Sequence, residues 1–240
     1  MLKYAIDRQK VKPLYETGLV MIERIRKHIS QEEFDYQTLL GVLTGYAHPR
    51  DKITDLLRKK VIVRVKKGLY VFGEDYRRIP YSRELLANLV FGPSYISLEY
   101  ALQYYGMIPE RIEAVTSVTT GRSRKFITPV GAFTYRKIPL PVFQSGMDMV
   151  DMGDGRSFLI AVPEKALADK IYGDRGVVIA SQKEISTYLL DDLRLDPVFL
   201  KEMDPDWVEI YTGCYGSRKI KLLANLLRRI RRQGDNDAHP

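Results

Sequence analysis

A chain of 240 residues, 45% hydrophobic and 28% charged, is long enough to bury one or two cores and too apolar to be wholly disordered. It contains no run of about 18 apolar residues, so no membrane span is expected. Its single cysteine, Cys214, leaves no intramolecular disulfide and points to the cytosol.

The net charge of +8 is unevenly divided. Residues 1–80 carry 17 basic and 10 acidic side chains (+7), residues 81–215 carry 14 and 18 (−4), and residues 216–240 carry 7 and 2 (+5). A basic head, an acidic middle and a basic tail suggest two separate surfaces for a polyanion, although solubility alone also accounts for such a balance. The opening MLKYAIDRQKVKPLYETG lacks the apolar stretch and cleavage site of a secretory signal and reads as an ordered arm.

Three helical patterns follow. GLVMIERIRKHI repeats apolar residues at Leu19, Ile22, Ile25 and Ile29. FDYQTLLGVL places Leu39, Leu40 and Leu43 on one side. In GYAHPRDKITDLLRKK, Gly45 can take a positive φ after a helix, and Pro49 suits a first helical turn. Ile53, Leu56 and Leu57 form that helix's apolar stripe, opposite Asp51, Thr54, Asp55, Arg58 and Lys59. VIVRVKKGLYVF then predicts a hairpin: Val61, Val63 and Val65 alternate with Ile62, Arg64 and Lys66, and Gly68 supplies the turn.

A polar linker with Pro80 sets a domain boundary near residue 80. Beyond it, SRELLANLVF predicts a helix, and SLEYALQYYG predicts another, capped by Ser97 and closed by Gly106. EAVTSVTT, the two halves of KFITPVGAFTYRKIP, and RSFLIAVP predict strands. Pro163 opens the helix PEKALADKIYG, in whose early turns Glu164 and Asp169 would favour the dipole. Further helices are expected over 181–191, 196–211 with a break near Pro205, and 217–232. The expected class is α+β: a winged helix-turn-helix over 1–80, a mixed α/β domain over 81–232 with a helical C-terminus, and a disordered tail over 233–240.

A winged helix meets DNA through its third helix and its wing, using cations for phosphates and a few side chains for base edges. Arg50, Lys52, Thr54, Arg58 and Lys59 occupy the third helix, with Lys60 beside it, and Arg64, Lys66 and Lys67 the hairpin. Lys66 and Lys67 suit a phosphate clamp, while Thr54 and Arg58 suit base contact. Asp51 and Asp55 reduce the field there, since Asp55 can pair with Arg58 or Lys59 at i+3 and i+4. A solvated helix face, or a protein-docking winged helix, remains the alternative.

The tail helix carries a second basic surface: Arg218, Lys219, Lys221, Arg228, Arg229, Arg231 and Arg232 around the stripe Ile220, Leu223, Leu227 and Ile230, widened by Leu222 and Leu226. A second DNA contact, a partner-docking helix and dipole capping are all open readings. Arg122, Arg124 and Lys125 make a smaller basic spot.

Enzyme chemistry finds little support. His28, His48 and His239 are far apart, and Cys214 has no partner, so neither a metal site nor any cofactor is expected. Signatures for a nucleophile elbow, a dinucleotide fold and a P-loop are missing. DMGDG lacks a calcium loop's ligand series and reads as a polar turn around Asp151 and Asp154. Gly216-Ser217 lacks the paired carboxylates that nucleotidyl transfer needs.

The stretches LLRKKVIVRVKKGLYVF, ISLEYALQYYGMIPE, VTSVTTGRSRKF and FLIAVPEKALADKIY resemble the AbiEi-type antitoxins of type IV toxin–antitoxin systems, linked to abortive phage infection. The resemblance runs from about residue 20 to 230. It implies a cytoplasmic, non-catalytic protein with an N-terminal winged helix-turn-helix and a C-terminal antitoxin domain. Such a protein would repress its own promoter by binding inverted repeats in double-stranded DNA, and would oppose a cognate nucleotidyltransferase toxin. Arg50, Lys52, Thr54, Arg58 and Lys59 would then read the operator, with Lys66 and Lys67 as wing contacts. The alternative is an interaction module that docks a partner, such as a basic toxin, through the acidic middle, without DNA binding.

Overall fold

The computed structural model describes residues 18–237, with side chains over 21–233; the arm expected before them and the final three residues lie outside the described residues. The chain is mixed α and β and divides into two compact units, residues 1–81 and 82–240.

In the first unit, α1 (Gly18–His28), α2 (Tyr36–Val42) and α3 (Pro49–Arg58) surround a small antiparallel sheet of order β1-β3-β2. Its strands are β1 (Glu33–Asp35), β2 (Ile62–Lys66) and β3 (Leu69–Phe72). Apolar residues at helical spacing face one core: Met21, Ile25 and Ile29 from α1 and just beyond it, Leu39 and Leu43 from α2 and its end, Ile53 and Leu56 from α3. Phe34, Tyr70 and Phe72 close that core from the sheet, with the rings of Phe34 and Phe72 4.7 Å apart. The carboxylate of Asp35 caps α2 by accepting from the Thr38 amide at 2.7 Å, which holds it below the usual carboxylate range. Pro49 occupies the first turn of α3, as its fixed φ favours. Gly45 is not left-handed: α2 ends at Val42, and its C-cap Leu43 bonds its amide to the Leu40 carbonyl.

The alternation expected in β2 is displaced. Ile62, opposite Phe72, is buried, while Val63 is only half-buried. The register slips between Arg64 and Lys66, and this bulge turns Val65 inward. Gly68 takes φ +87 in the turn, and its carbonyl accepts from the Tyr36 amide at 2.9 Å, tying the hairpin to the start of α2. A buried ion pair locks the unit's far end. Arg26 meets Glu32 at 2.6 Å, stacks 3.6 Å from the Phe72 ring centroid and donates to the Tyr76 carbonyl. Glu32 in turn accepts from the Arg78 amide.

The second unit holds a six-stranded mixed sheet of order β6-β7-β5-β4-β9-β8. The strands are β4 (Ser94–Ile96), β5 (Val115–Thr119), β6 (Arg124–Thr128), β7 (Gly131–Lys137), β8 (Met147–Asp151) and β9 (Ser157–Ala161). The pairs β5/β7 and β4/β9 are parallel and the other three antiparallel. The helices are α4 (Arg83–Val90), α5 (Leu98–Tyr104), the short α6 (Leu140–Phe143), α7 (Pro163–Gly173), α8 (Gln182–Thr187), α9 (Pro197–Glu202), α10 (Pro205–Tyr215) and α11 (Arg218–Asp237). A π-helical turn, Tyr188–Asp192, extends α8. Helix α4 packs on the middle strands; α7 lies between α5 and the α10–α11 pair, and every residue from Lys165 to Ile171 is buried. Gly216, at φ +58, closes α10 before α11 begins. Helix α11 continues to Asp237, so the tail expected to be disordered from residue 233 is helical as far as it is described. Propagating an existing helix costs far less than nucleating one, and no proline intervenes.

Candidate functional site

The exposed face of α3 is set by the burial of Ile53 and Leu56. With those inward, Arg50, Thr54 and Arg58, spaced four apart, are exposed along one face. The Thr54 hydroxyl donates to the Arg50 carbonyl at 3.1 Å, so its proton is engaged while its oxygen lone pairs and the methyl remain for an outside partner. Asp55 collects both neighbouring cations: Arg58 is in direct hydrogen-bond contact with it, and Lys59 lies at 2.9 Å. Those two bonds, Lys59's first, hold its carboxyl below the usual range, so the face keeps a carboxylate among its cations. Lys52 is half-buried, its ammonium 5.1 Å from the Tyr46 ring centroid, and belongs partly to the fold.

On the hairpin, Arg64 and Lys67 are exposed, whereas Lys66 is half-buried, and burial lowers its pKa. The expected pair of lysines at a free tip is therefore one exposed lysine and one partly withdrawn, because the bulge that turns Val65 inward changes the side on which Lys66 emerges. Two hollows meet at Tyr36. One, of about 570 Å³, is lined by Tyr36, Gln37, His48 and Arg50; the other, of about 680 Å³, by Tyr36, Arg64, Lys67 and Tyr70. Tyr36 thus joins the α3 side to the hairpin side. Sequence reasoning passed over Tyr36 and Gln37 and weighed His48 only as a metal ligand; an aromatic residue at a helix start between two basic stretches was the available signal.

The second basic surface is more structural than expected. Ile220, Leu223, Ala224, Leu226 and Leu227 of α11 are all buried in the second unit. Arg218 donates to the Ala180 carbonyl and Lys219 to the Asp174 carbonyl. Arg228 pairs with Glu209 at 3.0 Å, and Arg231 with Asp204 at 3.8 Å. Lys221, Arg229 and Arg232 are exposed. Dipole capping does not explain the arginines, since α11 runs five residues past Arg232. Arg122, Arg124 and Lys125 are exposed at edge strand β6 and the loop before it.

Helix α7 holds what the sequence reading missed. Asp169 does not answer a helix dipole; it is fully buried, in contact with the Lys165 ammonium one turn earlier and with the Tyr215 hydroxyl. Ser97, expected to cap α5, donates instead to Asp169 at 2.6 Å. Lys165 lies within 6 Å of the ring centroids of Tyr95, Tyr211 and Tyr215. Burial pulls the Lys165 pKa down against the opposing pull of Asp169, and the same burial raises the Tyr95 and Tyr215 hydroxyls far above their ordinary range.

Asp151 and Asp154 form a polar turn between β8 and β9, where Asp151 accepts from the Gly153 amide and Asp154 pairs with Arg156 at 2.7 Å. Among the described residues, no group of three or more His, Cys, Asp or Glu could hold a metal ion, and no helix is long and apolar enough to cross a membrane. In comparisons with known proteins, no family model matches the chain and no curated protein is significantly similar to it.

Proposed function

We propose that the protein is a double-stranded-DNA-binding regulator, an antitoxin-type autorepressor whose first unit is a winged helix-turn-helix. The observation that carries this reading is the juxtaposition of two exposed basic elements in one small unit. Arg50, Thr54 and Arg58 line a helix of groove-entering size, and Arg64 and Lys67 extend from a hairpin tied by its turn to the start of α2. Arginine can fork onto guanine or clamp phosphate, and lysine meets phosphate as a point charge. Opposition to a nucleotidyltransferase toxin rests on the resemblance in sequence alone. It belongs to the second unit, with no catalysis by this chain.

The test is a mobility shift of the full-length protein on the DNA upstream of its own gene. Binding should weaken steeply with salt, the slope falling by roughly one unit for each phosphate contact removed. Lys67→Ala should weaken binding to all sequences alike, and Arg58→Ala should also relax sequence preference. Failure to shift promoter DNA at low salt would remove the reading.

A second reading, partner docking through the acidic middle of the chain (residues 81–215) without DNA binding, is favoured by edge strand β8. Met147 and Met149 are exposed there beside Asp148 and Asp151, so an unpaired strand edge carries both apolar and acidic groups. Co-purification with the product of the neighbouring gene, lost on Met149→Lys, would support it.

A further inference from the structure

The second unit contains a cleft that neither basic surface accounts for. It encloses about 680 Å³, within the usual range of small-ligand sites. Arg136 and Lys137 line it from the end of β7, and Arg175 from the loop after α7. Leu98, Ile138 and Tyr172 supply an apolar and aromatic wall. The carboxylate in the lining, Asp169, is already engaged by Lys165, Ser97 and Tyr215. The cleft therefore joins surplus positive charge on one side to a ring-bearing wall on the other.

Helix capping does not require those arginines. The carboxyl end of α7 already has Lys170, which meets Asp174 at 2.7 Å, and Lys219, which donates to the Asp174 carbonyl at 2.8 Å. Arg136 is placed with care nonetheless. Its guanidinium lies so close over Gly173 that a Cβ there would come within 2.6 Å of it, and Asp174 sits 3.7 Å away to orient it.

Leu98 adds an independent sign. This buried, bulky residue holds φ +60, a left-handed conformation that side chains other than glycine rarely adopt. Such strain persists only where surrounding structure enforces it, and it concentrates at ligand sites. Here the enforcement is visible. Ser97 is fixed by its bond to Asp169, and its amide donates to the Thr116 carbonyl at 3.0 Å.

We propose that this cleft binds a nucleoside phosphate, with Arg136 and Arg175 on the phosphates, aided by Lys137, and the base against Tyr172. Tyr172 is braced for that role by Tyr215, whose ring centroid lies 4.3 Å behind it. The site lies wholly in the second unit and does not depend on the DNA-binding reading.

The experiment is isothermal titration of the full-length protein with ATP, GTP, CTP, UTP and, separately, inorganic pyrophosphate. At least one nucleotide should bind with a Kd below about 1 mM, and at least about tenfold more tightly than pyrophosphate. Arg136→Ala/Arg175→Ala should weaken that nucleotide by about tenfold or more, while Lys183→Ala, an exposed change on α8, should leave it unaltered. A melting curve of each variant confirms that the fold is kept. Should none of the four nucleotides bind, or pyrophosphate match them, or the double arginine variant bind as the parent does, the proposal fails.

Discussion

Lys165 and Asp169 stand one turn apart on α7, both withdrawn from solvent, the ammonium donating to the carboxylate. The pair is a hub. Asp169 accepts from Ser97 at the start of α5 and from Tyr215 at the end of α10, so one carboxylate ties three helices together. Removing one partner leaves a buried charge uncompensated, so Lys165→Met or Asp169→Leu should each cost about 3–5 kcal/mol in urea unfolding. The combined variant should cost less than the sum of the two. Single variants within about 0.5 kcal/mol of the parent would show that the pair carries no such load.

The first unit has its own buried pair in Arg26 and Glu32. Glu32 is also the acceptor for the Arg78 and Ile79 amides, so its loss strips partners from an arginine and two backbone donors at once. Glu32→Ala should destabilise by about 3–5 kcal/mol. It should also raise amide exchange at Arg78 and Ile79 before exchange rises elsewhere. Unchanged exchange at those two amides would contradict the assignment.

Asp55 is the counterweight on the proposed DNA face. Asp55→Asn removes a carboxylate and releases Arg58 and Lys59 from it. Affinity for unrelated duplex DNA should rise about three- to tenfold, with a steeper salt dependence. A fall in affinity would mean that Asp55 positions Arg58 for its contact instead of restraining it.

Two exposed caps set a pH limit. Asp35 and Glu184 are held below their ordinary values of 3.8 and 4.5, Asp35 chiefly by the Thr38 amide and Glu184 by the Ala180 amide. A carboxylate depressed on folding contributes stability that is full above its unfolded pKa and is lost as pH falls through its folded value. Thermal stability should therefore decline below about pH 4.5, and Asp35→Asn with Glu184→Gln should flatten the part of that decline due to the caps. An identical acid profile for the double variant would assign the decline elsewhere.

Features governed by neighbouring residues were legible in the sequence. Pro49 and Pro163 open helices, and Gly68 and Gly106 take positive φ, because each depends on local sterics. Strands β1, β4 and β8 went unseen: β1 and β4 are three residues long, β1 being read as the start of a helix, and the short alternation of β8 breaks at Val150, the strand being bound by pairing to β9. Ser97 has the sequence context of a cap, yet its hydroxyl goes to a carboxylate 72 residues away. Side chains with such distant partners leave no periodic trace; the i,i+4 spacing of Lys165 and Asp169 was readable, but their burial and the links to Ser97 and Tyr215 that make them a hub were not. On the proposed DNA face, the residue list was readable, but the bulge that withdraws Lys66 was not, since it depends on how β2 pairs with β3.

Two glycines of the first unit should respond to alanine with opposite signs. Gly73 lies against the junction between α3 and β2: a Cβ there would overlap the Lys60 carbonyl oxygen, and the Gly73 amide donates to the Val61 carbonyl at 2.8 Å. The obstacle is backbone, and Lys60 is already held at φ +56, so nothing nearby can yield cheaply. Gly73→Ala should cost about 1–3 kcal/mol and, by displacing Lys60 and the start of β2, weaken DNA binding as well. Gly41 sits inside α2 with nothing within 4 Å of an added Cβ. Alanine there restricts the unfolded chain and suits the helix, so Gly41→Ala should stabilise by about 0.4–1 kcal/mol and leave DNA binding unchanged. Urea unfolding of the two variants beside the parent reads both signs; a tolerated alanine at 73 would place the tight contact between α3 and β2 elsewhere.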